Sequence, residues 1–233
     1  MTMNRLAIIG GVLTIFVGSS HFGTIGAQSG GAVSERIWEN DRMQLVRLSL
    51  APGERFTDES REGSAIIFMT TDLDGRMPPA EAAWHDPGPV MLENRGRTRF
   101  EAVVVDLKTT LPRSIGVTAP EVVRAREPGA SQVHGVEYGA GEARAEGVIF
   151  NDRMSVTKER YGIGQSWSSD PPHFHPQDVV VVYLRGGYVW PTAGTHAPQR
   201  VRRGDVRIVP ANVLHTPANA GSDPLEFLLI IPA

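Results

Sequence analysis

The chain contains no cysteine. That removes thiolate metal ligands, a cysteine nucleophile, a disulfide framework and a lipoprotein-type cysteine anchor from consideration. Excess charge is lacking too: 23 Lys and Arg against 26 Asp and Glu leave a formal net charge of −3. Nucleic acids and anionic membrane surfaces are attracted by an excess of basic residues, and this chain has none. Nothing resembles a serine triad, and Gly139-Ala140-Gly141 is a lone glycine pair outside any strand-to-helix context, so no nucleotide loop is read there. The longest N-terminal apolar run, Leu6 to Val17, falls short of the roughly 20 residues that a membrane-spanning helix needs.

That run has another reading. Arg5 precedes it, a small-residue stretch ending Gly26-Ala27 follows it, and no further charged residue occurs before Glu35. This is the layout of a secretory signal peptide over residues 1–27, which predicts a periplasmic or secreted protein beginning near Gln28. The alternative is an N-terminal membrane anchor. Cleavage removes Arg5 and takes the formal charge from −3 to −4. Residues 28–36, glycine-rich and without periodicity, read as a disordered lead-in.

Beyond the lead-in, short apolar or alternating runs are separated by turn signals. Gln44 to Leu50 largely alternates polar and apolar residues, with Leu45, Val46, Leu48 and Leu50, and reads as a strand. Ala51-Pro52-Gly53-Glu54 ends it as a turn. Ala65 to Met69 and Phe100 to Leu107 read as buried strands, and Trp84 to Pro89 as turn-rich. The pattern predicts an all-β sandwich or barrel. It also repeats. Asn40-Asp41-Arg42-Met43 recurs as Asn151-Asp152-Arg153-Met154, and Asn94-Arg95-Gly96 with its following strand recurs as Asn219-Ala220-Gly221 with Leu225 to Ile230. The offset grows from 111 (151 minus 40) to 125 (219 minus 94), which predicts extra loop residues in the second copy around Pro191 to Pro198. Two barrels are therefore expected, at 37–108 and 148–233, joined by a linker at 109–147 in which Pro120 to Arg126 could form a helical turn.

The chemistry concentrates in the second copy. His173 and His175 are two apart and project from the same face of an extended chain. His215 follows the turn Pro210-Ala211-Asn212, which brings it back toward the pair. Three neutral imidazoles converging on one point suit a divalent transition metal, one of Fe, Mn, Zn, Ni or Cu. The remaining histidines, His85, His134 and His196, read as solvated surface residues near turns or in loops, and His21 lies in the signal segment.

These residues resemble the two-part signature of the cupins. Gly204, Pro210, His215 and Asn219 fall in register with its second part, with Asn212 at the place of a glycine; asparagine is among the few side chains that tolerate positive φ. His173, His175 and Gly186 match the first part. Trp167 stands at its opening glycine and Val179 at its glutamate. The resemblance implies an all-β fold of two tandem double-stranded β-helix, or jelly-roll, barrels, with a metal held in the second. It also implies that the glutamate, usually a fourth ligand, is missing, so a three-histidine site carries a net charge of +2 rather than +1. Gln177 shares the histidines' strand parity and is the candidate for a fourth ligand, whereas Asp178 has the opposite parity. Gln165, Trp167, Tyr183, Tyr188, Trp190 and Arg207 are candidates to line the mouth or wall.

The first copy serves as an internal control. Aligning Ile66 with Val180 sets Glu59 opposite His173, Arg61 opposite His175 and Ala65 opposite Val179, and the later offset sets Val90 opposite His215. The first barrel then lacks the ligand set, and an arginine among would-be ligands repels a cation. This leaves it a role in packing, in dimerisation or in closing the second site. Two function classes stay open: an exported metal-dependent enzyme resembling bicupin dioxygenases or isomerases, acting on a small organic molecule, and a non-catalytic exported cupin that binds a metal or small ligand or is a metal-free structural protein.

Overall fold

A computed structural model describes residues 32–60, 62–78, 81–109, 135–138, 143–163, 174–191, 197–215 and 217–233. The expected signal segment, the helical turn at Pro120 to Arg126, the Gly139-Gly141 pair, and His134, His173 and His196 lie outside them. All regular structure among the described residues is β. In the first half the strands are β1 (Val33–Glu39), β2 (Met43–Leu50), β3 (Arg55–Ser60), β4 (Ser64–Phe68), β5 (Ala82–His85), β6 (Gly88–Glu93) and β7 (Phe100–Leu107). The second half contributes β8 (Gly135–Tyr138), β9 (Ala143–Phe150), β10 (Met154–Tyr161), β11 (Val179–Tyr183), β12 (Gly187–Trp190), β13 (Gln199–Val201), β14 (Val206–Val209), β15 (Ala218–Asn219) and β16 (Leu225–Pro232).

Several boundaries differ from the sequence reading. Strand β1 begins at Val33, inside the expected lead-in, because its backbone pairs along β2 from Val33↔Ser49 to Glu39↔Gln44. The expected linker supplies β8 and the start of β9, which extend the second half's sheet beyond β10. The stretch from Trp84 to Pro89, read as turn-rich, holds the end of β5 and the start of β6. In β6 the exposed Met91 stands between buried Val90 and Leu92, and in β5 only Ala82 is buried, so neither shows a polar–apolar alternation.

The halves share one plan. The first half's large sheet runs β1-β2-β7-β4-β5, and the matching part of the second runs β9-β10-β16-β11-β14. All the pairings are antiparallel. Each large sheet is closed over by a smaller one, β3-β6 in the first half and β13-β12-β15 in the second. This is the double-layered antiparallel architecture of a jelly-roll barrel, built twice.

Alternation along the strands makes three cores from two barrels. Even-numbered Leu48 and Leu50 of β2, Ile66 of β4, and Phe100 and Ala102 of β7 face into the first barrel, where they meet Val90 and Leu92 of β6. Odd-numbered Tyr161 of β10, Val181 and Tyr183 of β11, and Leu225 and Phe227 of β16 face into the second. The opposite faces of the two large sheets meet each other: Met43, Leu45, Ala65, Ile67, Val103 and Val105 pack with Met154, Val156, Val180, Val182, Leu228 and Ile230 in a single cluster. Removing a large aliphatic side chain from such a core costs about 2–5 kcal/mol. The two halves are therefore joined by a full hydrophobic core.

Hydrogen-bonded register corrects the alignment of the copies. Ala65 pairs with Val105 on β7, Val180 pairs with Ile230 on β16, and Val105 corresponds to Ile230 through the common pairings of Met43↔Leu107 and Met154↔Pro232. Ala65, not Ile66, is thus the counterpart of Val180, an offset of 115 (180 minus 65). A one-residue slip exchanges the two faces of a strand. Ile66 points into its barrel, whereas Val180 points at the other half, so the two cannot be equivalent. Moving from β4 and β11 to β7 and β16 the offset rises from 115 to 125 (232 minus 107), which places ten extra residues between Tyr183 and Leu225 in the second copy. The hairpin of β12 and β13 lies within that interval.

Candidate metal centre

Two segments build the centre: the approach to β11, His175-Pro176-Gln177-Asp178, and the turn after β14, Pro210-Ala211-Asn212. Asn212 takes φ of 60°, the left-handed conformation its place in the motif requires. Its N–H donates to the His175 carbonyl at 2.7 Å, and the Ala211 N–H donates to Oδ1 of Asp178 at 2.8 Å. The turn is thereby laced to the strand approach at two successive amides. Val213 N–H closes onto the Pro210 carbonyl at 3.3 Å, and His215 follows.

This lacing brings the His175 and His215 rings together, 5.1 Å between centroids and tilted by 36°, at 6% and 8% exposure. The Nδ1 of His215 lies 2.9 Å from the Val213 carbonyl. A carbonyl only accepts, so the contact requires the proton on Nδ1, and in the neutral tautomer that satisfies it the lone pair lies on Nε2, the arrangement usual for a ligating histidine. Bonds of about 2.0–2.1 Å put a ring centroid about 3.2 Å from a metal, and a tetrahedral angle between two such rings separates their centroids by about 5.2 Å. The observed spacing fits two imidazoles of one metal site.

The other expected site residues are distributed as follows. His173 lies outside the described residues, and among those described no three His, Cys, Asp or Glu side chains gather as a metal cluster. Val179, at the usual glutamate position, is fully buried and offers no donor. Gln177 is 4% exposed and its Nε2 donates to the Pro232 carbonyl at 3.3 Å, so its amide oxygen, the atom that could ligate a metal, is not used in that bond. Asp178 receives Ala211 and, on Oδ2, the Asn40 amide at 2.8 Å. Gln165 and Trp167 are outside the described residues. Tyr188 is about half exposed and Trp190 is partly buried. Arg207 donates to Oε1 of Gln199. Tyr183 is buried in the barrel, and burial pushes its hydroxyl's pKa up, with Arg207 opposing the shift and Asp205 adding to it.

One interior group went unread in the sequence. Glu159 is 2% exposed and faces into the second barrel, accepting from the Tyr161 hydroxyl at 3.1 Å and the Thr157 hydroxyl at 3.4 Å. Its signal was the period-two series Thr157, Glu159, Tyr161, which could be assigned to the inward face only once the strand's apolar even positions were known to serve the shared core.

In the first barrel, carrying the corrected offset back sets Asp58 opposite His173, Ser60 opposite His175 and Ser64 opposite Val179, replacing Glu59, Arg61 and Ala65 as the counterparts. The argument from a repelling Arg61 therefore falls away. A hydrogen-bonded cluster around the carboxylate of Asp106 stands there instead. Ser60 Oγ donates to Oδ1 of Asp106 at 2.5 Å, Gln44 Nε2 donates to Oδ2 at 3.1 Å, and the Gly63 N–H donates to Ser60 Oγ at 3.1 Å. Ser64, in register with Asp106 on one side and His85 on the other, is fully buried with no partner for its hydroxyl. His85, read as a surface residue near a turn, sits on β5 with its Nδ1 buried and unpartnered.

With the geometry in hand, comparison with known proteins gives a consistent answer. Residues 162–231, the segment holding every candidate ligand, match the family model of the cupin domain. A cupin 2 conserved barrel domain protein from Leptotrichia buccalis superposes with a TM-score of 0.57 over 90% of this chain and 92% of its own, at 18% identity. The fold is a cupin fold. AerE from Microcystis aeruginosa superposes with a TM-score of 0.58 over 91% of this chain and 97% of its own, at 11% identity. The cupin-fold neighbours also include an oxalate decarboxylase from Lactobacillus farciminis in a formate complex, with a TM-score of 0.54 over 91% and 83% of the two chains at 13% identity. A search of curated protein sequences finds no match. Cupin-fold neighbours covering nearly the whole chain accord with two barrels in tandem.

Proposed function

We propose that this is an exported bicupin-type protein whose second barrel binds one divalent transition metal through His173, His175 and His215, and that the metal serves a dioxygenase-like or isomerase-like reaction on a small organic molecule. The observation that carries the reading is the buried His175–His215 pair, spaced as two ligands of one ion and with the tautomer of His215 fixed by the Val213 carbonyl. A bound metal supplies Lewis acidity and open coordination positions. The chain's own part is to hold the imidazoles neutral and oriented, to keep the floor apolar with Val179, and to place Tyr183 and Glu159 within the barrel. The first barrel is on this reading a degenerate copy, with Ser60 where the second has His175.

The test is elemental analysis of purified protein after mild chelation and reloading. Wild type should hold about one metal per chain, and the double variant His173→Ala, His215→Ala should hold none. Retention of metal by the double variant would overturn the assignment. A second reading, a non-catalytic cupin binding a metal or small ligand, is favoured by one observation: buried Val179 removes the carboxylate that would otherwise complete the donor set. Metal-loaded protein that neither consumes oxygen nor turns over any candidate substrate would decide for it.

A further inference from the structure

The repeated Asn-Asp-Arg-Met turn behaves differently in its two settings. In both copies the asparagine Oδ1 is pinned by two backbone amides: Asn40 by Arg42 and Met43 at 2.8 and 2.9 Å, Asn151 by Arg153 and Met154 at 2.9 and 2.8 Å. A pinned Oδ1 fixes the amide's orientation, so each Nδ2 can only donate outward. Asn40 Nδ2 donates to Oδ2 of Asp178, across the boundary between the halves and 138 residues away. Asp178 uses its other oxygen to hold Ala211, in the turn that delivers His215. Beside them Arg42 donates to the Ala233 carbonyl at 3.1 Å; burial lowers its pKa, and the charge of Asp178 opposes that shift. Among the described residues the second copy shows no matching acceptor: the register sets Gly63 opposite Asp178 (178 minus 115), and Arg153 reaches Glu62 instead.

We infer that Asn40 is a positioning residue for the candidate metal centre, acting through Asp178 on the turn 210–212 and so on His215. The first barrel thereby contributes to a site to which it supplies no ligand. The consequence for metal retention rests on the metal reading above, but the clamp itself rests only on the hydrogen bonds. Groups that orient a ligand in this way change metal affinity by about 10–100-fold when lost.

A reciprocal exchange tests it. Asp178→Asn keeps an oxygen for Ala211 but sets one amide NH2 against another. Asn40→Asp keeps the turn's acceptor but sets two carboxylates together. The double exchange restores donor against acceptor with the roles reversed. In zinc-loaded protein each single variant should lose zinc to a chromogenic chelator about tenfold faster than wild type, and the double variant should return to within about threefold. Equal rates in wild type and both singles, or a double variant no slower than the singles, overturn the inference. Hydrogen exchange at the Ala211 amide, measured in metal-free protein, supplies the independent reading: protection should fall in each single variant and recover in the double. If wild type takes up no zinc, the metal reading falls alone, and that exchange pattern decides the clamp in either direction.

Discussion

Asn94 and Asn219 stand 125 residues apart (219 minus 94) and make corresponding hydrogen bonds. Each is buried at 1% or less, and each accepts on Oδ1 from the glycine two residues on, Gly96 at 3.0 Å and Gly221 at 2.8 Å. Asn94 Nδ2 donates to the carbonyls of Leu50 and Thr98, and Asn219 Nδ2 to those of Tyr161, Gly162 and Asp223. The asparagine that ends the second motif, like its counterpart Asn94, is therefore a structural clasp, tying the last turn of its barrel to the end of β10 as Asn94 ties its own to the end of β2.

Replacing either asparagine by alanine should destabilise the protein strongly, at about 1–3 kcal/mol for each buried group left unsatisfied. In a chain of this size each kcal/mol lowers the thermal midpoint by about 2–4 °C. Calorimetry on Asn94→Ala and Asn219→Ala should show drops in both. An unchanged midpoint in either would mean that water replaces the amide without loss.

The two buried serines of the first barrel should respond oppositely. Ser64 hides an unpartnered hydroxyl, so Ser64→Ala should be neutral or stabilising by up to about 1 kcal/mol. Ser60 bridges Gly63 and Asp106, so Ser60→Ala should cost about 1–3 kcal/mol. Denaturant midpoints compared at equal slope would rank them, and a larger loss for Ser64→Ala would refute the ordering.

Metal uptake should fall on acidification through about pH 6.5, where free imidazoles protonate, because ligation requires the neutral ring. Zinc at 100 times its dissociation constant should stabilise wild type by about 2.7 kcal/mol, and should leave His215→Ala where it was. Thermal shifts across a pH series read both outcomes at once.

Tyr183 adds an alkaline signature. Its pKa is raised in the fold, so its contribution to stability is complete below the ordinary tyrosine pKa and is lost as pH rises toward its folded value. Tyr183→Phe should flatten that alkaline loss while leaving the neutral region little changed. Phenolate absorbance should show one fewer late-titrating tyrosine in the folded variant. Identical alkaline stability curves would sink the claim.

Export predicts that protein recovered from the cell envelope or medium begins near Gln28. N-terminal mass analysis checks it, and intact Met1 on soluble cytoplasmic protein would refute it.

Much of this fold could be read from the sequence. Phe100 to Leu107 reads as a strand to the residue, because its centre, Ala102 to Val105, is an unbroken buried apolar run. The duplication was visible because its turn asparagines are held by local backbone amides, which any copy must preserve. The register of β4 was not visible. Ser64 to Phe68 is buried on both faces, so its sequence carries no alternation to say which residues look inward. The pairing of His175 with His215 followed from the turn chemistry of Asn212. The clamp from Asn40 did not, since a contact spanning 138 residues leaves no trace in local pattern.

The shared core between the two large sheets has a consequence for ancestry. Its surfaces are equivalent faces of equivalent sheets, so an ancestor with a single copy would have presented the same apolar face and met its own image across a two-fold axis. Every substitution in such a symmetric pair appears twice. Joining the copies in one chain lifts that constraint, and Asp178 opposite Gly63 is a divergence that a symmetric pair of identical chains could not keep. On the function proposed above, specialisation of the second barrel and its support by the first are what joining the copies would have made heritable.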